Sequence, residues 1–130
     1  MRKIVIEDGK STVELKIEEL NNPTARKISE SLPIESRAKR WGDEIYFDTD
    51  ITAPSSGATL DVNIGDIAYW PEGKCLCIFF GRTPASSGDK PAPASECVIV
   101  GRAKVDPAAL RKVRSGAKIT VTLFYGDYRD

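Results

Sequence analysis

The 130-residue sequence has no histidine, one methionine, three cysteines and no excess of either charge. Without histidine the usual general base near neutral pH is missing, and so are the triads built on serine or cysteine. Hydrolases of those types are not expected. Nineteen basic and nineteen acidic residues cancel, so no global field draws the chain toward polyanions or an acidic membrane surface. The densest basic run, Arg102, Lys104, Arg111, Lys112, Arg114 and Lys118, reads as a solvated helix face with its flanks. No nucleic-acid partner is expected.

Long apolar runs are also lacking, and none approaches the length that spans a bilayer. The N-terminal MRKIVIEDGK carries a short apolar run that Glu7 and Asp8 cut off, which is not a secretory signal. No membrane association is expected, and the default location is the cytoplasm. Cys75, Cys77 and Cys97 form an odd set with no C-x-x-C, which fits reduced, buried thiols. Cysteines two apart on a strand sit about 6.6 to 6.8 Å apart, near the outer limit for a disulfide. A zinc site would lack its fourth ligand. No metal or cofactor is expected, since the stretch GRTPASSG lacks the lysine and the strand-to-helix context of a phosphate loop.

What is present suits one domain over residues 1–130, long enough to bury a single core. Residues 2–7 and 11–17 alternate as strands around the Asp8-Gly9-Lys10 turn and predict an opening hairpin. A helix over 23–32 follows from Asn22 as N-cap, Pro23 at the first position and the spacing of Ala25, Ile28 and Leu32. IESRAKRW and DEIYFDTDI then read as strands, TLDVNI (59–64) as a short one, and 67–70 and 75–80 as two strands of large residues. The near-continuous apolar character of that last pair implies burial on both faces, or one face on a core and the other under a cover. The loop 84–96, PASSGDKPAPASE, is long enough to be a functional or mobile element. A strand CVIVGRAKV, a helix over 107–114 capped by Asp106, and a strand AKITVTLFY complete the chain. About eight or nine strands with two short helices predict a mainly β fold, a closed or nearly closed barrel with helices at its ends.

The motifs RWGDEIYF (40–47), GDIAYWPEG (65–73), CLCIFFGRTP (75–84) and VIVGRAKV (98–105), with the helix at 23–32, resemble the cyclophilin-like proteins, specifically the small bacterial and archaeal branch of mostly unassigned activity. The resemblance implies an eight-stranded barrel closed by two helices, with a groove on its outer face. Cyclophilins isomerise X-Pro bonds in an aromatic groove with the help of an arginine. The barrier is about 18 to 20 kcal/mol and lowering it needs no nucleophile. This chain lacks the family's Phe-His-Arg strand, the glutamine of the next strand and the later pocket tryptophan or histidine; only Arg37 or Arg40 is placed to act as the arginine.

The residues themselves suggest a pocket. Trp41, Tyr46, Trp70 and Phe80 offer flat apolar walls, and Arg37, Arg40 or Arg82 would orient a carbonyl or carboxylate. The same aromatics also suit core layers, and the same arginines suit a solvated face. Strand alternation sets Ile45 and Phe47 opposite Glu44 and Tyr46, and Leu76, Ile78 and Phe80 opposite Cys75, Cys77 and Phe79. The acidic pairs Asp48/Asp50 and Asp43/Glu44 read as solvated strand ends. The expected role is binding of a peptide or small-molecule ligand by a monomer or weak homodimer, with a divergent peptidyl-prolyl isomerase as the alternative.

Overall fold

The computed structural model describes residues 2–123. Among these residues nine strands form one antiparallel sheet: β1 (Arg2–Glu7), β2 (Thr12–Glu19), β3 (Ile34–Arg37), β4 (Lys39–Arg40), β5 (Glu44–Asp48), β6 (Asp66–Trp70), β7 (Cys75–Phe79), β8 (Val98–Ala103) and β9 (Lys118–Leu123). Their order is β3-β9-β1-β2-β8-β6-β7-β5-β4. The sheet curls nearly into a barrel, because β3 and β4 at its two edges are consecutive in sequence and meet around Ala38. Ala38 N–H donates to the Ala117 carbonyl at 2.8 Å, and Ser36 Oγ donates to the Asp48 carbonyl at 2.7 Å.

Two short helices cap opposite ends. Helix α1 (Pro23–Glu30) starts as its sequence predicts, with the Asn22 side chain accepting from Ala25 N–H at 2.8 Å. Helix α2 (Pro107–Arg111) has Asp106 as its N-cap. At the start of β1, Arg2 donates to Ser29 of α1, while Asp8 just beyond its end accepts from Arg114 after α2. The strand therefore runs from one cap to the other.

Several expected elements are shorter than the periodicity suggests. The stretch 34–41 breaks at Ala38, whose backbone turns to bond Ala117 and Gly116. TLDVNI contributes only one isolated bridge, Thr59 to Cys97. The helices end at Glu30 and Arg111 rather than at residues 32 and 114. The last two residues of the predicted final strand, 124 and 125, lie outside the described residues.

The interior is filled by one side of each strand, including Ile4, Leu15, Ile45, Phe47, Ile78, Phe80 and Ile119, with Ala25, Ile28 and Leu110 from the ends. Tyr69 sits among them, and its hydroxyl donates to the Ile51 carbonyl at 2.6 Å. Removing that hydroxyl leaves a carbonyl in the interior without its donor, which costs about 1 to 3 kcal/mol. Tyr69→Phe is thus expected to lower the urea midpoint without changing the slope of the transition; an unchanged midpoint would show that water replaces the bond.

A second apolar cluster lies on the outside of the barrel. Val62, Ala68, Cys77, Phe79 and Cys97 are buried there, with Tyr46, Trp70 and Ile99 packed against them. The cover is the chain itself: residues 49–65 bring Val62 over the sheet, and the loop 84–96 brings Pro91 and Pro93, both buried. This explains why β6 and β7 are apolar on both faces.

Candidate functional site

The register of the outer face assembles the site. In the pairing of β5 with β7, Glu44 is opposite Phe79 and Tyr46 opposite Cys77; in that of β6 with β7, Ala68 is opposite Cys77 and Trp70 opposite Cys75. Residues i and i+2 share a face, so Glu44, Tyr46, Cys77, Phe79, Ala68 and Trp70 all point outward together. Trp41 joins them from the turn before β5, where Trp41 N–H and Glu44 N–H exchange bonds with each other's carbonyls at 3.0 and 3.2 Å. That turn lies against residues 81–83 so closely that neither Gly42, at φ +62°, nor Gly81 has room for a Cβ. Asp43 N–H donates to the Arg82 carbonyl at 2.7 Å.

Between these walls is a recess of about 190 Å³, lined by Trp41, Glu44, Tyr46, Trp70, Cys77, Phe79, Pro93, Ala94 and Cys97. The loop 84–96 forms its rim and is anchored there: Trp70 Nε1 donates to Ser95 Oγ at 2.5 Å, Ser95 Oγ donates to Glu72 at 2.8 Å, and Thr83 Oγ1 donates to the Ala92 carbonyl at 2.5 Å. Lys90 pairs with Asp61 between the two covering segments.

Glu44 is the one acidic group in this lining, and it is only 6% exposed. Burial pushes its carboxyl up from 4.5 to about 7, partly opposed by a hydrogen bond with the Cys77 thiol. The sequence reading of Asp43 and Glu44 as a solvated strand end is therefore corrected. Asp43 is held by Arg111 through Nε and Nη2 at 3.1 and 3.0 Å, and Glu44 is buried in the lining of the recess. The expectation of buried, reduced cysteines agrees with the structure, where all three are free and buried. Burial pushes Cys97 up to about 12 and Cys77 well above its ordinary value, with the Glu44 charge adding to both. These thiols stay protonated and are poor nucleophiles. Among the described residues no group of three or more His, Cys, Asp or Glu is arranged to hold a metal ion.

Of the residues singled out from sequence, Trp41, Tyr46 and Trp70 meet in the recess and Phe80 does not. Phe80 packs in the barrel interior, and its neighbour Phe79, equally buried, lies on the recess side. Nor does any of the three arginines line the recess. Arg37 donates to the Gly116 carbonyl at 3.2 Å, and Arg82 is exposed. Arg40 bonds the carbonyls of Arg111, Val113 and Gly42 at 3.1, 2.8 and 2.9 Å and stacks 5.4 Å from the Phe80 ring centroid, a bracket at the end of α2. Glu44 and Phe79 were missed as site residues, although both share a strand face with residues that are part of it.

A nearly closed antiparallel barrel with two helical caps and a covered recess on its outer face defines a class of β-barrel domain. The cyclophilin-like family model matches residues 2–122, and the chain belongs to that family. The solution structure of the hypothetical protein AF2241 from Archaeoglobus fulgidus is similar, with 38% identity, 92% of each chain covered and a TM-score of 0.69. No curated protein matches the chain. Among the described residues no helix is long and apolar enough to cross a membrane.

Proposed function

We propose that this cyclophilin-like domain is a binding module that takes a small molecule or a peptide side chain into the outer-face recess, without covalent chemistry. The observation that carries this is the gathering of Trp41, Tyr46, Trp70 and Phe79 around a recess with few polar groups. Pockets for drug-sized ligands run to about 300–1,000 Å³; about 190 Å³ suits one compact group rather than an extended segment. Trp41, Tyr46 and Trp70 are only half-buried, which leaves ring surface for an incoming group. The isomerase alternative gains nothing from the arrangement, because Arg37 and Arg40 are engaged with backbone carbonyls away from the recess.

The test is a titration of the isotope-labelled protein with small amines, aromatics and short peptides, read by NMR. Shift changes are expected at the Trp70 indole N–H and at Trp41, Tyr46 and residues 93–97. Trp41→Ala is expected to weaken binding at least about tenfold, the scale of an aromatic anchor in a small site, and to leave the fold intact because Trp41 is only partly buried and lies outside the barrel core. Shifts that map elsewhere, or none with any probe, would overturn the reading.

A further inference from the structure

The chemistry of the lining narrows the class of ligand, provided that the outer-face recess is a binding site. We propose that the recess takes an alkylated ammonium group, with Trp41, Tyr46 and Trp70 as its cage, the buried Phe79 ring behind them and the Glu44 carboxylate as its counter-charge. Aromatic faces are electron-rich and attract cations, and cages of this kind recognise quaternary ammonium groups. Nothing in the lining is basic, so an anionic ligand would meet Glu44 with no compensating charge. A neutral apolar ligand would use the rings and leave the buried Glu44 carboxyl without a function or a cationic partner.

A primary ammonium is compact, strongly hydrated and carries three donors. The side chains lining the recess present one carboxylate and the Tyr46 hydroxyl as its oxygen acceptors, the rest being rings, thiols, Pro93 and Ala94. Methyl groups remove that demand, spread the charge and fill apolar volume. This favours an alkylated head over a plain lysine. The surrounding charges leave Glu44 available. Asp43 is tied to Arg111 at 3.0 Å, Lys39 over the Tyr46 ring is paired with Asp48 at 2.9 Å, and Glu72 accepts from Ser95 at the rim. Cys77 and Cys97, facing Glu44 from β7 and from the segment before β8, are neutral thiols.

The head group has two sources, a free choline-like molecule or an Nε-trimethylated lysine in a peptide. The experiment titrates the full chain, by calorimetry and Trp fluorescence, with choline, with a trimethyllysine peptide, with its unmodified counterpart and with the neutral carbon isostere of choline that carries a tert-butyl head. At least one trimethylammonium probe is expected to bind about tenfold or more tighter than the isostere, the scale of a desolvated cation–aromatic attraction. Glu44→Gln is expected to reduce that preference by the carboxylate's share, leaving the part the rings supply, while still binding the isostere. Tighter binding of choline or of the peptide assigns the source. Isostere affinity equal to that of both choline and the trimethyllysine peptide overturns the ammonium class, and a preference undiminished in Glu44→Gln overturns the counter-charge; either result leaves the binding reading standing. No response to any probe, the isostere included, counts against both.

Discussion

Phe80→Ala is expected to lower the unfolding free energy by about 3 to 5 kcal/mol, the usual cost of emptying a core of a phenylalanine ring. The ring is 0% exposed and packs with Ile45, Phe47 and Ile78 inside the barrel. It also supports the Arg40 guanidinium, which lies 5.4 Å from the ring centroid while its donors serve carbonyls of the α2 end. Removing the ring therefore leaves both a cavity and a loosened bracket. Urea denaturation should show a lower midpoint at nearly constant slope, and the protein that remains folded should bind recess ligands as wild type does. A loss below about 1 kcal/mol would mean that the barrel collapses onto the site far more readily than a rigid core allows.

The pair Phe79 and Phe80 shows where sequence reasoning succeeded and where it stopped. Alternation correctly separated Leu76, Ile78 and Phe80 from Cys75, Cys77 and Phe79, and Ile45 and Phe47 from Glu44 and Tyr46. It could not say which set looks inward, because both faces of β7 are apolar. One face meets the barrel interior; the other is covered by Val62 and the 84–96 loop, which are remote in sequence and carry no periodic signal of where they fold. Local signals did better: the Asn22 and Asp106 caps, the Asp8-Gly9 turn and the barrel class all appear as read. The arginines were misleading for a related reason. Arg40 is close to the site in sequence, beside Trp41, yet strand direction and the end of α2 draw its side chain to backbone carbonyls instead.

Glu44→Gln is expected to stabilise the protein by roughly 3 kcal/mol at pH 8 and hardly at all at pH 4. Burial raises the carboxyl from 4.5 to about 7. Below pH 4.5 it is protonated in both folded and unfolded chains and has no pH-dependent effect. As pH rises toward 7 the unfolded chain gives up the proton and the folded one keeps it, so stability falls by about 1.4 kcal/mol per pH unit and levels off above the folded value. Glutamine never ionises, so the variant escapes that loss. Urea titrations of both proteins at pH 4 and pH 8 measure it directly; in the difference between the two proteins the remaining carboxylates cancel, and the Cys77 and Cys97 thiols, both pushed up, stay protonated throughout. Equal stability at pH 8 would show that water reaches the carboxyl and that burial does not raise it. A penalty of that size at pH 8, measured for a residue on the wall of an otherwise apolar recess, would be the trade-off expected of a functional group rather than of packing. A bound ammonium would reverse the penalty by stabilising the carboxylate. Its affinity should then rise with pH, by up to about tenfold per unit below pH 7, and should be flat with pH in Glu44→Gln.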